Sequence, residues 1–342
     1  MKSLTNNISI YRFFTNLFFV LSLSIFHLSY SQDQNQLEPK TGKSTLLPKI
    51  STVTENVTYK TNEKGTPLLL DIYTPKNVAD EKMPVVVYVH GGAWVKGDKT
   101  VRDGSYIETF IAKLLDKKYA VISIDNTLLN DSIHFPVPLE DTKDAVRWVR
   151  KNAATYHFDP DNIGFFGASS GAHLSMLAAY TPDNQFIGSP ELSAYSAKVN
   201  YVVDHYGPSD LNKLLHTRLG KVPVFLFGLA AQKIVDLRSD LVRGLSGYDI
   251  KKEQRKAVDY FKTISPLTYV SGGVPTLIMQ GNKDKVVPMQ QSKKLHRKLT
   301  RENVQNSLII VKDGIHGFGT TDKAYMDQLT DQMVDFIVSQ KK

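Results

Sequence analysis

Short, almost unbroken apolar runs recur along the chain: Pro84–Val89, Ala120–Ile124, Ile163–Phe166, Tyr201–Tyr206, Pro275–Gly281 and Ser307–Val311. Runs of this kind suit strands buried on both faces of a parallel sheet. Between them the apolar positions change to helical spacing. Asp103–Lys118 carries Ile107, Phe110, Ile111, Leu114 and Leu115, and Ala172, Leu174, Met176, Leu177 and Ala178 continue the pattern beyond the third run. Leu139–Val149 is amphipathic, with acids early and bases late, in agreement with the helix dipole. Tyr325–Ser339 predicts a closing helix. Ahead of all these, Val57–Lys60 and Leu68–Tyr73 flank a turn-rich Glu63–Pro67, the signature of an antiparallel hairpin. Alternation of this sort predicts an α/β domain: a doubly wound, mostly parallel sheet of about eight strands with helices on both faces.

The N-terminus reads differently. Lys2 and Arg12 precede an apolar stretch from Phe13 to Leu28, and Ser29-Tyr30-Ser31 places small residues at a cleavage position. Residues 1–31 are therefore expected to be a signal peptide cut before Gln32, which implies a secreted or periplasmic protein. The cleanest apolar part, Phe18–Phe26, is shorter than a spanning helix needs, so no stable membrane anchor is expected. Polar residues 32–50 read as a linker, and 51–342 as one catalytic domain. Within it, 209–263 is helical and apolar in places, notably Val222–Ala230, and reads as a cap-like insertion over the site or as ordinary packed helix.

Composition narrows the chemistry. The chain has 342 residues, 42% hydrophobic and 22% charged, enough for one large core. Its formal charge of +8 falls to +6 without residues 1–31, and the remaining bases are scattered among acids. A solvated surface, not a nucleic-acid partner, follows. The chain has no Cys, which excludes thiolate metal sites, disulfides and Cys nucleophiles.

Strand-end loops carry the candidate chemistry. After the Ile163 strand comes Gly167-Ala168-Ser169-Ser170-Gly171, a G-x-S-x-G pattern between strand and helix. So tight a turn exposes Ser169 at the strand end and aims the next helix N-terminus at it. After Val89 comes His90-Gly91-Gly92-Ala93-Trp94, where glycines let the backbone approach an oxyanion; the alternative is a glycine turn with a packing Trp. Asp284 follows the Met279 strand and His316 follows the last one. The order Ser, Asp, His on separate strand-end loops is the α/β-hydrolase order. Asp204 is a rival acid, also after a strand. Asp313 is too close to His316 in sequence, His173 too close to Ser169 to serve as base, and His90 is expected to brace its loop.

These residues give the chain a specific resemblance, from Val57 to the C-terminus. It resembles the α/β-hydrolase superfamily, and within it the esterases that include hormone-sensitive-lipase-like carboxylesterases, feruloyl and acetylxylan esterases and kynurenine formamidases. His90–Trp94 is similar to their HGGxW or HGGG motif, and Ser169, Asp284 with Val287-Pro288, and His316-Gly317-Phe318 also match. Ala93 stands where a glycine is frequent, and Ser170 and Ala172 where Ala and Gly are. The resemblance implies a catalytic triad of Ser169, Asp284 and His316, and an oxyanion hole from the N–H groups of Gly92, Ala93 and Ser170. It implies neither cofactor nor metal. Trp94 is the candidate substrate contact, and loop order favours Asp284 over Asp204.

The expected activity is that of a secreted serine carboxylesterase acting on short acyl or aromatic acyl esters, as small molecules or on polysaccharides. An arylformamidase-like amide hydrolase is the alternative, supported by the HGGxW match and opposed by the export signal. A secreted serine peptidase is another, and a non-catalytic binding protein is disfavoured by the intact Ser, Asp and His.

Overall fold

A computed structural model describes residues 42–342 apart from 63–64, 77–80 and 320. The expected signal peptide, and residues 32–41 of the expected linker, lie outside the described residues. The strands are β1 (Ser51–Thr61), β2 (Pro67–Pro75), β3 (Met83–Val89), β4 (Ala120–Ile124), β5 (Phe158–Ala168), β6 (Val202–His205), β7 (Thr276–Gly281) and β8 (Asn306–Val311). They form one eight-stranded sheet in the order β1-β2-β4-β3-β5-β6-β7-β8. β2 pairs antiparallel with β1 and β4, and every other neighbouring pair is parallel. This is the mostly parallel sheet of about eight strands that the apolar runs predict, and the α/β-hydrolase architecture that the resemblance implies.

Alternate residues of the central strand explain why those runs are unbroken. Val85, Val87 and Val89 of β3 enter one core, and Val86 and Tyr88 enter the other. The first core is covered by α3 (Val137–Lys151) and α5 (Ser170–Tyr180), and the second by α2 (Tyr106–Asp116) and α10 (Lys323–Ser339). Each fully buried Val contributes roughly 1.5–3 kcal/mol of transfer free energy. Ser105 and Asp322 cap α2 and α10, accepting hydrogen bonds from N–H groups of the first turn. Across the covered face Lys113 of α2 bridges to Asp327 and Asp331 of α10 at 2.8 and 2.6 Å.

The polar side of α3 is also covered, because the 181–200 excursion folds over it. Asp144 takes Lys60 and Arg147 at 2.9 Å each and Ser189 N–H at 2.7 Å. The Lys143 ammonium donates to the carbonyls of Pro182 and Gln185 at 2.7 and 2.6 Å, and burial lowers its pKa to about 8.

Two expectations change. Residues 42–50 are not a linker: Ser44 N–H donates to Val101 O at 2.8 Å, its hydroxyl bonds Glu108, and Leu47 is buried in α1 (Leu47–Ile50). One well-placed Leu docks a segment whose composition is otherwise polar. Between β7 and β8 lies a helix not expected above, α9 (Gln290–Arg301), whose buried apolar residues are only Leu295 and Leu299. A short Ala153–Tyr156 turn, α4, links α3 to β5.

Residues 209–263 are helical, as α6 (Leu211–Leu214), α7 (Lys221–Ser246, kinked at Ala231) and α8 (Ile250–Thr263). Their later part docks on the 134–135 segment. His134 Nδ1–H donates to Gly244 O at 2.9 Å, Phe135 N–H to Leu245 O at 3.2 Å, and Tyr260 hydroxyl to Phe135 O at 2.7 Å. Among the described residues no helix is long and apolar enough to cross a membrane.

Candidate active site

The turn from β5 into α5 is as tight as its glycines suggest. A Cβ on Gly167 would lie 2.5 Å from Gly171 O, and one on Gly171 would lie 2.1 Å from Val89 O. Ser169 between them has φ 54° and ψ −118°, a conformation costing about 1–3 kcal/mol for a residue with a side chain. Its N–H donates to His205 O at 2.8 Å, which ties the strained residue to β6.

Three loops distant in sequence converge on this turn. Ser169 Oγ lies 3.0 Å from His316 Nε2, and His316 Nδ1 lies 2.8 Å from Asp284 Oδ2. The carboxylate accepts the Nδ1–H, so Nε2 is left as acceptor for the Ser169 hydroxyl proton. Asp284 is saturated with donors. Its Oδ1 accepts from Val286 and Val287 N–H at 2.8 and 2.9 Å, and its Oδ2 from Gln280 Nε2 at 2.9 Å as well as from His316.

Gln280 is a positioning residue that the sequence analysis did not single out. It is fully buried, and its Oε1 accepts from Ser292 Oγ of α9 at 2.8 Å. The available signal is a polar residue at the end of a buried strand, since such a group needs partners. Gln280→Leu is expected to lower kcat about tenfold while KM changes little, because one donor to Asp284 is lost without altering a substrate contact. Steady-state kinetics with separate kcat and KM check this.

Behind His316 stands an aromatic wall. Tyr206 places its ring centroid 4.6 Å from that of His316, and its hydroxyl pairs with Tyr106 hydroxyl at 2.8 Å. Tyr106 hydroxyl in turn hydrogen-bonds with His205 Nδ1 at 3.1 Å. Burial drives the His205 pKa down to about 3, so this imidazole stays neutral.

The rival residues have other places. Asp204 is fully buried, its Oδ1 accepts Gly207 N–H at 2.8 Å, and its Oδ2 has no partner among the described residues. Burial pushes its pKa up to about 7. A folded-state pKa above the unfolded value means that the folded protein holds a proton which the unfolded chain has lost. The contribution of Asp204 is therefore most favourable below about pH 4 and is lost progressively as pH rises through 7. Asp204→Asn is expected to raise stability at pH 8 by on the order of a few kcal/mol and hardly at all at pH 4. Thermal midpoints of both proteins across that range check it.

His173 is a neutral strut. It is fully buried, which lowers its pKa to about 3, and its Nε2–H donates to Ile264 O at 2.8 Å. Its Nδ1 accepts the Trp94 indole N–H at 3.3 Å. Trp94 itself is 5% exposed and packs edge-on against Phe135 and His173, so the indole expected as a substrate contact is a packing residue. His90 does brace its loop, with Nδ1–H on Gly91 O at 2.7 Å. Asp313 is exposed, 4.0 Å from Lys283.

The HGG loop lies against the turn: a Cβ on Gly91 would be 3.4 Å from that of Ser169. Gly92 has φ 127°, where a Cβ would strike Lys96 O, and Ala93 follows at φ 53°. Among the described residues neither Gly92 nor Ala93 donates its N–H to a backbone carbonyl. Ser170 opens α5, and the first N–H groups of a helix have no acceptor within it. Near Ser169 the fold thus leaves N–H donors from two loops that an anionic oxygen could use.

The model of the BD-FAE family matches residues 70–299, more than half of the chain. Among curated proteins, the chain is similar to esterase LipQ of Mycobacterium tuberculosis, 30% identical over 227 residues covering 66% of this chain and 48% of that protein. It spans about half the length of the curated relatives it matches. Among solved structures it is similar to a truncated carbohydrate esterase from gut microbiota, with TM-score 0.65 and 28% identity over 87% of this chain and all of that one. A bifunctional GH43-CE protein of Bacteroides eggerthii aligns with TM-score 0.66 and 26% identity, covering 84% of this chain and 35% of that chain.

Proposed function

The chain belongs to the BD-FAE family of α/β-hydrolase esterases, and from that premise we propose that it is a serine carboxylesterase for short acyl or aromatic acyl esters, including esters carried on polysaccharides. The observation that carries the reading is the continuous chain from Ser169 Oγ through His316 to Asp284, at 3.0 and 2.8 Å. His316 Nε2 takes the Ser169 proton as Oγ attacks the ester carbonyl, because an unassisted hydroxyl is a weak nucleophile. Asp284 stabilises the imidazolium that forms. The N–H groups of Gly92, Ala93 and Ser170 receive the oxyanion, where a single donor is worth about 3 kcal/mol. His316 then protonates the leaving alkoxide. Water, deprotonated by the same Nε2, releases the acid from Ser169.

Similarity to carbohydrate esterases supports the polysaccharide part of the reading. The basic and then apolar residues 1–31 support an exported protein, with cleavage after Ser31. The test is a substrate panel: nitrophenyl acetate, butyrate and octanoate, methyl ferulate and acetylated xylan, beside formyl amides and dipeptide anilides. Ester turnover that depends on Ser169 supports the proposal, and turnover confined to the amides or anilides overturns it.

A further inference from the structure

A cavity of about 440 Å³ lies in the 209–263 segment, within the ~300–1,000 Å³ range of small-ligand pockets. Its lining includes none of Ser169, Asp284, His316 or the HGG loop. Leu219, Val224, Val235 and Ile250 give it apolar walls, and Phe225 and Leu229, 67% and 74% exposed, stand on one side. The kink at Ala231 bends the front of α7 away from its later half, and Gly228 lines the cavity without a side chain.

The charge of this lining has one sign. Arg238 and Lys251 are there, and among the described residues no Asp or Glu. Arg238 donates through Nε to Leu215 O at 2.8 Å and through one terminal nitrogen to His216 O at 3.1 Å, which leaves it further N–H donors. Among the described residues no carboxylate pairs with it. Burial without an acidic partner holds its pKa below the usual guanidinium range. The nearest carboxylate to Lys251 is that of Asp236, 4.0 Å away and half exposed, a weak pair. The wall is built in place: Gln254 of α8 holds the carbonyls of Thr217 and Leu219 at 2.7 Å each, while Arg238 of α7 holds those of Leu215 and His216.

We propose that this cavity binds an amphiphilic monocarboxylate, with the carboxylate on Arg238 and the apolar body along Leu219, Val224, Val235 and Ile250. A cation would meet two like charges there. A neutral apolar molecule would desolvate the guanidinium and offer it nothing in return. A small multiply charged anion would leave the apolar walls unused. A carboxylate on a hydrocarbon or aromatic body satisfies both parts of the lining, and a guanidinium recognises it through paired N–H donors. This is also the class of acid that an ester hydrolase releases, although binding here requires no turnover.

Calorimetric titration of octanoate into the full chain carrying Ser169→Ala tests the proposal. Octanoate is expected to bind one site, and Arg238→Leu in the same background to weaken it at least tenfold. Octanol and octylamine are expected to bind at least tenfold more weakly than octanoate. Gly228→Leu puts a side chain into the cavity and leaves Arg238 in the sequence; its new Cβ meets the flexible end of Gln232 at 2.8 Å and Val235 Cγ2 at an ordinary 4.0 Å, and loss of a helix-interior glycine favours folding. It too is expected to abolish octanoate binding, and it decides the matter if Arg238→Leu fails to fold. Absence of octanoate binding, affinity unchanged by Gly228→Leu, or octanol binding as tightly as octanoate would overturn the proposal. None of these outcomes depends on whether the protein turns over esters.

Discussion

Ser169→Ala is expected to lower kcat/KM for nitrophenyl acetate by about 10⁵- to 10⁶-fold, a loss of roughly 7–8 kcal/mol of transition-state stabilisation. The size follows from what one oxygen does here. In the proposed reaction it is the nucleophile, the proton donor to His316 Nε2, which lies 3.0 Å away, and the atom that carries the acyl group between the two half-reactions. Removing it leaves the N–H groups of Gly92, Ala93 and Ser170 and the histidine without an attacking atom. Folding should be almost indifferent, since Ala avoids no more strain than Ser at φ 54° and the N–H bond to His205 O is retained. An unchanged thermal midpoint beside the kinetic loss is the expected pair of results. A loss below tenfold would mean that ester cleavage occurs elsewhere on the protein.

Asp284→Asn is expected to cost about 10⁴-fold in kcat. Oδ1 accepts two main-chain N–H groups, from Val286 and Val287, so a substituted amide would keep its oxygen there. Its NH₂ would then face both Gln280 Nε2 and His316 Nδ1, which are donors in the native arrangement. To avoid a donor–donor clash, His316 would have to move its proton to Nε2, the atom that must accept from Ser169. The variant would fold and hold the wrong tautomer. Asp204→Asn is the control: that carboxyl is bonded to Gly207 N–H and not to His316, so kcat should be nearly unchanged. If Asp204→Asn, and not Asp284→Asn, abolished activity, the assignment of the acid would reverse.

Much of this arrangement is legible in the sequence, for definite reasons. Strands buried on both faces become continuous apolar runs, so β3, β4 and β7 stand out. A strand-turn-helix bend has few tolerable sequences, so Gly167-Ala168-Ser169-Ser170-Gly171 stands out too. The order of Ser169, Asp284 and His316 puts each at a strand end, and parallel strands bring such ends to one rim. Other features are carried by contacts that leave little mark on composition. α9 shows its apolar side through little more than Leu295 and Leu299, and residues 42–50 dock through Leu47 and two polar bonds. Trp94 after two glycines suits either a ligand platform or a packing residue, and only the position of His173 beside its indole decides. Tyr106 and Tyr206 are 100 residues apart, and no local pattern pairs them.

The pairing of α2 with α10 bears on how this chain folds as it is made. Lys113 pairs with Asp331, 218 residues later, and Phe110 and Leu114 share the core on the Val86 side of the sheet with Met333, Val334 and Ile337. Lys342 reaches back as well, its N–H donating to Asn162 Oδ1 at 2.7 Å. A nascent chain that has emerged only as far as β7 therefore presents an open apolar sheet face, and contacts of such long sequence separation form slowly. This face can close only once α10 has been made, because Met333, Val334 and Ile337 of that helix belong to the core that holds Val86.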